Sequence, residues 1–301
     1  MQTVTVVTPS LNQSNFIVHT INSVLNQNYP LLDYFVIDAG SKDCTVDILR
    51  TYNNRVKWIS EPDNGQASAV NKGWQLTDSD IVAWLNADDS YRVDAILSVV
   101  KFLELHPDVD IVYGDCDYIG PEGQTIRAYP VKQFNYEKLV RFAFNYLPQP
   151  STFIRRRVFE KGNYLDVSLD YVMDFDLWLQ QGIYAKITYL PVKLANLRLH
   201  PAAKSVARSE EFAQELIMIY KKLFLRQDLP PSILKIRNIS MSNVYYRASY
   251  CCYWSGNIDR ARIYSLKALR YSPLNLHKQL LLAIFGEVGL KMMLPLKINR
   301  K

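Results

Sequence analysis

The first 85 residues alternate between short apolar runs typical of strands and amphipathic stretches typical of helices. Val, Ile and aromatic residues dominate four runs, at positions 4–8, 34–37, 56–60 and 81–85. Between these runs, apolar residues recur at helical spacing over positions 16–25, 45–52 and 66–76. Strands and helices that alternate in this way form a mostly parallel sheet with helices on both faces. The sequence therefore predicts an α/β domain with a Rossmann-like sheet.

Polar side chains follow each of these predicted strands at the point where the strand ends. In chain order they are Thr8 and Asn12, then Asp38, then Asp63 and Gln66, then Asn86, Asp88 and Asp89. The carboxyl ends of parallel strands share one edge of a sheet, and ligands of open α/β sheets bind beyond that edge. We therefore expect these side chains to line a single crevice.

Asp88 and Asp89 form an adjacent carboxylate pair directly after the apolar run 81–85. Mg²⁺ in proteins is held by one or two carboxylates together with phosphate oxygens, so the pair suits a cation bound against a phosphate. Alternatively, the two aspartates cap a helix that the sequence predicts over 91–105. The pair taken alone fits either interpretation.

The rest of the chain divides into a second α/β stretch and a helical region. The pattern predicts a strand, a hairpin turn, a helix and two late strands, at 110–118, 120–123, 169–179, 183–190 and 193–199. After about residue 205 it turns helical, and 248–273 resembles one tetratricopeptide-like helix pair, which needs neighbours to cover its apolar face. We therefore predict two domains, a catalytic domain over 1–205 and a helical region over 206–301.

The two predicted domains carry opposite net charges. Residues 1–203 hold 18 Lys+Arg and 23 Asp+Glu, whereas residues 204–301 hold 17 and 6. This basic region indicates an anionic lipid surface or another polyanion as its neighbour, with a solvated helical face as the alternative; we expect no nucleic acid. The apolar stretch 280–296 is interrupted by Glu287, Lys291 and Pro295, so we expect it to lie in a membrane interface or on the preceding helices rather than to span a bilayer.

Short motifs place the chain in a compartment and exclude some enzyme classes. The four cysteines match neither a zinc site nor a disulfide framework, and the first residues lack the pattern of a signal peptide. We therefore expect a cytoplasmic protein, peripheral on the inner face of the cell membrane. The chain has neither a Gly-x-Gly-x-x-Gly motif nor a Walker loop, which disfavours NAD enzymes and P-loop NTPases.

Six motifs over residues 2–205 resemble, in order and spacing, those of family 2 glycosyltransferases. They are Val6-Val-Thr-Pro-Ser-Leu-Asn-Gln13, Ser23-Val-Leu-Asn-Gln-Asn-Tyr-Pro30, Val36-Ile-Asp-Ala-Gly-Ser-Lys-Asp43, Trp84-Leu-Asn-Ala-Asp-Asp89, Gln149-Pro-Ser-Thr152 and Met173-Asp-Phe-Asp-Leu-Trp178. The resemblance implies a GT-A fold and inverting sugar transfer from a nucleotide-diphosphate donor. A Gln-x-x-Arg-Trp motif and multiple spans, expected of processive synthases, are missing from the sequence.

The same resemblance implies a role for each candidate residue. Thr8, Asn12 and Gln66 would line the donor pocket, and Asp38 would accept a hydrogen bond from the base; uracil is the commonest base, which favours a UDP-sugar. Asp174 would be the catalytic base. Asp176 lies two residues further along the same predicted helix and therefore points in another direction.

For the metal, the resemblance implies that Asp88 ligates Mg²⁺ or Mn²⁺, with His200 beside it and Asp89 assisting or holding the sugar. Asn86 replaces the first aspartate of the family's Asp-x-Asp motif, which removes one charge. The family often has an arginine where this chain has Val70, so Lys72, Arg198 or Lys204 would contact the diphosphate instead.

These residues lead to two hypotheses of function. The first is a non-processive, inverting glycosyltransferase that transfers a sugar to a hydroxyl of a glycan or lipid-linked acceptor in cell-surface polysaccharide synthesis, with Asp174 as general base. The alternative is a catalytically inactive module that binds nucleotide-sugars or glycans, which the loss of an aspartate at Asn86 keeps open.

Overall fold

A computed structural model describes residues 1–160, 164–201 and 210–273. Over these residues one sheet contains nine strands: β1 (Val4–Ser10), β2 (Leu32–Asp38), β3 (Lys57–Ser60), β4 (Ile81–Trp84), β5 (Ser90–Tyr91), β6 (Ile111–Ile119), β7 (Thr125–Ala128), β8 (Thr152–Arg155) and β9 (Ile187–Arg198). The α-helices over the same ranges are α1 (Ile17–Leu25), α2 (Thr45–Thr51), α3 (Gln66–Gln75), α4 (Ala95–Leu105), α5 (Tyr136–Phe142), α6 (Met173–Gln181), α7 (Glu210–Phe224), α8 (Pro231–Lys235), α9 (Arg237–Trp254) and α10 (Ile258–Tyr271).

The first half of the sheet is parallel, as the sequence predicts. β1 lies between β2 and β4, with Val4 opposite both Leu32 and Ile81, and β3 pairs with β2. All seven residues of β1 are buried. A strand covered on both faces buries every position, which explains why its sequence, Val-Thr-Val-Val-Thr-Pro-Ser, shows no alternation of buried and exposed residues. The carboxyl ends of β1 to β4 consequently meet at one edge of the sheet.

The second half of the sheet mixes directions. β8 pairs antiparallel with β4 and β6, whereas β9 runs parallel to β6. The predicted hairpin turn at 120–123 is confirmed, since β6 and β7 are antiparallel neighbours. The two late strands predicted at 183–190 and 193–199 are one strand, β9, in which the register jumps from Leu190 to Lys193. Pro191 stands in that bulge, where its missing N–H removes no pairing bond.

Two predicted helix starts are wrong by several residues. The helix predicted from position 91 begins at Ala95, because Ser90 and Tyr91 pair with β9 as a short strand. No side-chain bond caps that helix, so the capping alternative for Asp88 and Asp89 is wrong. The helix predicted from position 169 begins at Met173, which puts Asp174 in its first turn.

Close packing joins α3 to the sheet. Gly73 of α3 lies so near β1 that an added Cβ would stand 2.5 Å from Cγ1 of Val7. Trp74, Trp84 and Trp178 beside this contact are fully buried. Glycine at this position therefore lets the helix approach the strand that leads into the polar edge.

The described chain divides into two compact units, residues 1–135 with 145–206 and residues 136–144 with 207–301. Within the second unit, α9 and α10 form the predicted helix pair, joined through Gly256 at a φ of 90°. Buried alanines and a 2.7 Å hydrogen bond between Ser249 and Ser265 allow the two helices to pack closely. The helical character of the C-terminal region is thus confirmed over the described part. None of its helices is long and apolar enough to cross a bilayer, and the stretch 280–296 lies outside the described residues.

Candidate active site

Asp38 and Asn12 organise the loops at the carboxyl ends of β1 and β2. The Asp38 carboxylate is fully buried and accepts four hydrogen bonds, from the backbone N–H groups of Gly40 and Ser41 and from the hydroxyls of Ser41 and Ser60. Asn12 is exposed, and its Oδ1 accepts the N–H of Lys42 at 2.9 Å. A nucleotide base would therefore reach Asp38 only by displacing one of these four donors.

Thr8 points into the core rather than into the crevice. Its side chain is fully buried, and its hydroxyl lies 3.0 Å from the hydroxyl of Tyr34. The neighbouring positions on this face of β1, Val4 and Val6, belong to the same hydrophobic core. A donor nucleotide at this edge would consequently contact the Thr8 backbone and not its side chain.

A line of polar side chains connects α3 to the loop after β4. Gln66 Nε2 donates to Asn86 Oδ1 at 2.7 Å, and Asn86 Nδ2 donates to Asp89 Oδ2 at 3.2 Å. The other oxygen of Asp89 accepts the backbone N–H of Arg198 at 2.8 Å. Asp89 is only 2% exposed; burial first, and the charge of Asp88 second, raise the pKa of its carboxyl. The amide of Asn86 thus supplies a donor to a buried acid, where a second carboxylate would repel it.

Asp88 and His200 form the solvent-accessible part of this loop. His200 Nε2 lies 2.9 Å from Asp88 Oδ2, and the two side chains are 10% and 19% exposed. The ring of Phe16 packs against His200 at 4.7 Å and under the Arg198 guanidinium at 5.2 Å. Phe16 was not among the predicted site residues, because an aromatic near a helix start carries no signal of such a role.

Two of the three cationic side chains predicted near the diphosphate, Arg198 and Lys72, already contact other groups of the protein. Arg198 is buried and donates to the backbone carbonyls of Asp88, Gly120 and Pro121. Lys72 forms an ion pair with Glu61. Lys204 lies outside the described residues. Arg198 therefore connects the loop after β4, residues 86–89, to the β6–β7 turn, which makes it a structural element of the site.

The donor atoms of Asp88 and His200 suit a divalent cation. Over the described residues no group of three or more His, Cys, Asp or Glu side chains is arranged to hold a metal by itself. Mg²⁺ and related cations commonly take one or two protein ligands and complete their shell with phosphate oxygens. The carboxylate oxygens of Asp88 match that donor set, and the imidazole nitrogen of His200 lies beside them on the same accessible edge.

Asp174 stands in the first turn of α6 with both oxygens hydrogen-bonded. Oδ1 accepts the N–H of Phe175 at 2.7 Å, and Oδ2 accepts Nδ2 of Asn145 at 2.8 Å. Burial raises the pKa of Asp174 to about 6, against the opposing effect of these donors. Asp176 is buried and accepts a bond from Gln180, so the two aspartates occupy different surroundings, as the spacing predicts.

Aromatic stacking places α6 beside the end of β4. Trp178, one turn beyond Asp174, stacks on Trp84 with ring centroids 6.1 Å apart. Gln149 Nε2 donates to the carbonyl of Trp84 at 2.6 Å. The loop before α6 also approaches α3, since a Cβ on Gly65 would stand 3.4 Å from Oδ1 of Asp170. The helix of the predicted base and the loop of the predicted metal ligand are therefore packed against the same strand end.

The mixed α/β sheet and its helices place this chain among proteins of the GT-A fold. Staphylococcus aureus TarS 1–349, solved in complex with UDP-GlcNAc, is similar to this chain with a TM-score of 0.70 and 16% identity, over 95% of this chain and 88% of that one. At that identity the likeness bears on the fold alone, and it confirms the predicted GT-A fold.

Residues 5–162 match the family described as glycosyl transferase family 2, and the chain belongs to that family. The predicted family is thereby confirmed. An uncharacterized glycosyltransferase of Rickettsia prowazekii is 27% identical over 205 residues, which cover 66% of this chain and 64% of that relative. The putative teichuronic acid biosynthesis glycosyltransferase TuaG of Bacillus subtilis is 34% identical over 104 residues, 33% of this chain and 41% of its own length.

Proposed function

We propose that this protein transfers a sugar, with inversion and without processivity, from a nucleotide-diphosphate donor to a hydroxyl of a glycan or lipid-linked acceptor. The observation that carries the proposal is the Asp174 carboxylate, held at the start of α6 beside the end of β4 with a pKa raised to about 6. The complex of TarS with UDP-GlcNAc supports a UDP-sugar as donor, and the printed role of TuaG supports cell-surface polysaccharide as the product class.

Asp174 is the general base in this proposal. An acceptor hydroxyl is a weak nucleophile near neutral pH, and a positioned carboxylate that takes its proton contributes about 10²- to 10⁴-fold to the rate. With a pKa of about 6, Asp174 is ionised at neutral pH yet more basic than an exposed aspartate. The hydroxyl oxygen attacks the anomeric carbon from the face opposite the diphosphate, the bond to the diphosphate breaks, and the proton goes to Asp174.

The donor half of the site is formed by the loops after β1 to β4. Asp88 and His200 would hold Mg²⁺ or Mn²⁺, which supplies positive charge against the leaving diphosphate when bound. Asn86, Gln66 and Asp89 hold that loop in shape through their hydrogen bonds. The backbone of Thr8 with Asn12 and Asp38 forms the nucleotide end, and Arg198 anchors the loop after β4 to the β6–β7 turn.

Each of the two predicted domains has its own role in this proposal. Residues 1–205 carry the transfer reaction, and the basic region 206–301 keeps the enzyme on the cytoplasmic face of the cell membrane, near a lipid-linked acceptor. Anionic headgroups attract clustered Lys and Arg side chains over about one Debye length. We expect the protein to sediment with anionic liposomes at low salt and to be released by high salt. Failure to sediment at low salt would reject the membrane role and leave the transferase role standing.

A donor panel tests the transfer reaction. The protein is incubated with UDP-, GDP- and TDP-linked sugars and Mn²⁺, and nucleotide release is measured for wild type, Asp174→Asn and Asp88→Ala, with the exposed Asp47→Asn as matched control. We expect release with one donor class and a loss of at least about 100-fold in both site variants. The anomeric configuration of the product, read by NMR, tests inversion. Binding of donors without release by wild type would favour the inactive-module hypothesis.

A further inference from the structure

We propose that Asn145 is the positioning residue of the catalytic base: its amide aims one oxygen of Asp174 and favours the ionised carboxylate. This inference rests on the proposed function only in that it takes Asp174 as the catalytic base. The contact between Asn145 and Asp174 is present in the fold whatever the reaction. Asn145 and Asp174 are 29 residues apart in sequence and meet through a 2.8 Å bond from Nδ2 to Oδ2.

The orientation of the Asn145 amide follows from its second hydrogen bond. Asn145 Oδ1 accepts the backbone N–H of Leu147 at 3.1 Å. An N–H can only donate, so the amide oxygen must face Leu147 and the amide nitrogen must face Asp174. The side chain therefore presents a donor, and only a donor, to the carboxylate.

The backbone of Asn145 is held as well. The hydroxyl of Tyr129 donates to the carbonyl of Asn145 at 3.1 Å, and Tyr129 in turn packs against the ring of Tyr118. Burial raises the pKa of Tyr129, with Tyr118 next and the nearby Asp174 charge a smaller contribution in the same direction, so this phenol stays neutral. Asn145 is thus fixed at both its main chain and its side chain before any substrate binds.

The consequence for the carboxylate is geometric and electrostatic. Phe175 N–H donates to Oδ1 and Asn145 Nδ2 donates to Oδ2, and the N–H of Asp174 itself also favours the charged carboxylate. A carboxylate has about four acceptor positions, so room for the acceptor hydroxyl remains. Burial opposes the charge of Asp174, and hydrogen bonds to the charged form offset part of that effect. Phe175 and Asn145 donate to Asp174, Tyr129 lies near enough to feel its charge, and none of these three groups is charged. Removing Asn145 therefore leaves the carboxylate less firmly held and harder to ionise.

A carboxyl titration tests the contact without any substrate. Full-length protein labelled with ¹³C at aspartate carboxyls is titrated by NMR, with Asp174→Asn used to assign the signal. We expect Asn145→Ala to move the Asp174 midpoint upward by about one pKa unit. Tyr129→Phe, which loosens the Asn145 backbone but keeps the amide, should move it upward by less. Asn54→Ala, an exposed asparagine outside the site, should leave it in place.

The reaction readout uses hydrolysis of UDP-GlcNAc in the presence of Mn²⁺ as probe. With a one-unit shift, the rate loss of Asn145→Ala should be about fivefold larger near pH 6 than near pH 8, with the donor KM unchanged. A midpoint that stays put or moves downward in both variants would overturn the inference. So would a rate loss independent of pH while Asp174→Asn is inactive. Full hydrolysis by Asp174→Asn would instead overturn the proposed base and leave the titration result valid.

Discussion

Replacing Asp174 with asparagine should abolish activity, and it should change the free energy of unfolding by an amount that depends on pH. In the folded protein the pKa of Asp174 is about 6, whereas the ordinary value is 3.8. As pH rises between these values, the unfolded chain releases the proton and the folded chain retains it. The folded state then binds more protons than the unfolded state, so wild-type stability falls across this window.

The magnitude follows from the size of the shift. About two pKa units correspond to about 3 kcal/mol, and the partial exposure of Asp174 reduces this to about 2 kcal/mol. Asparagine cannot ionise and escapes the loss. The new asparagine side chain also points an N–H group at one of the two N–H donors that bond to Asp174 in the wild type. This unfavourable contact lowers stability equally at every pH. The prediction therefore concerns the slope: the stability of Asp174→Asn relative to wild type should rise by about 2 kcal/mol between about pH 4 and pH 7.

Urea unfolding followed by tryptophan fluorescence measures this slope. Four of the five tryptophans, Trp58, Trp74, Trp84 and Trp178, lie in the compact unit that contains Asp174. Asp47→Asn removes a carboxylate that is 72% exposed and should show no comparable slope. A difference between Asp174→Asn and wild type that stays flat over the same pH range would refute the half-buried, hard-to-ionise carboxylate on which the mechanism depends.

Three further predictions concern the loop 86–89 and the packing of α3 on β1. Asp88→Ala should abolish the Mn²⁺ dependence of donor binding in isothermal calorimetry, and unchanged Mn²⁺ dependence would contradict its role. Asn86→Asp, which would restore the family's usual residue, should lower the melting temperature at neutral pH and less so at acidic pH, because it sets a second carboxylate against buried Asp89; a higher melting temperature at neutral pH would contradict this. Gly73→Ala should cost about 1–3 kcal/mol in urea unfolding, because its Cβ would overlap Val7, and a neutral effect would show that the helix can shift.

The parallel half of the sheet could be predicted because its signal is local. Runs rich in β-branched and aromatic residues mark β1, β2 and β4, and most positions of these three strands are buried, as such runs require. The start of α4 could not be predicted, since Tyr91 fits the helical pattern but pairs with Ala195 across more than a hundred residues. Long-range pairing of this kind overrides local propensity without leaving a mark in the neighbouring sequence.

The candidate site divides in the same way. Polar residues at strand ends are visible in the sequence because topology alone brings those ends together. The partner of the base is not visible: Asn145 belongs to an irregular segment, and nothing in its neighbourhood distinguishes it from other loop asparagines. Likewise, the sequence predicts a strand that ends at Thr8, whereas β1 continues to Ser10 and the Thr8 side chain faces Tyr34 in the core.

Solvent access separates the carboxylates that shape this site from those available to react. Asp38 is fully buried and accepts four hydrogen bonds, and Asp89 is 2% exposed and accepts one bond on each oxygen. The Asp88 side chain is 19% exposed beside His200, and Asp174 is half-buried. A carboxylate enclosed by its own loops does not meet a substrate, whereas one that reaches the surface can still accept a proton or a cation. We infer that the chemistry of this edge belongs to Asp88 and Asp174, and that the neutral Asn86 is the residue a buried Asp89 requires.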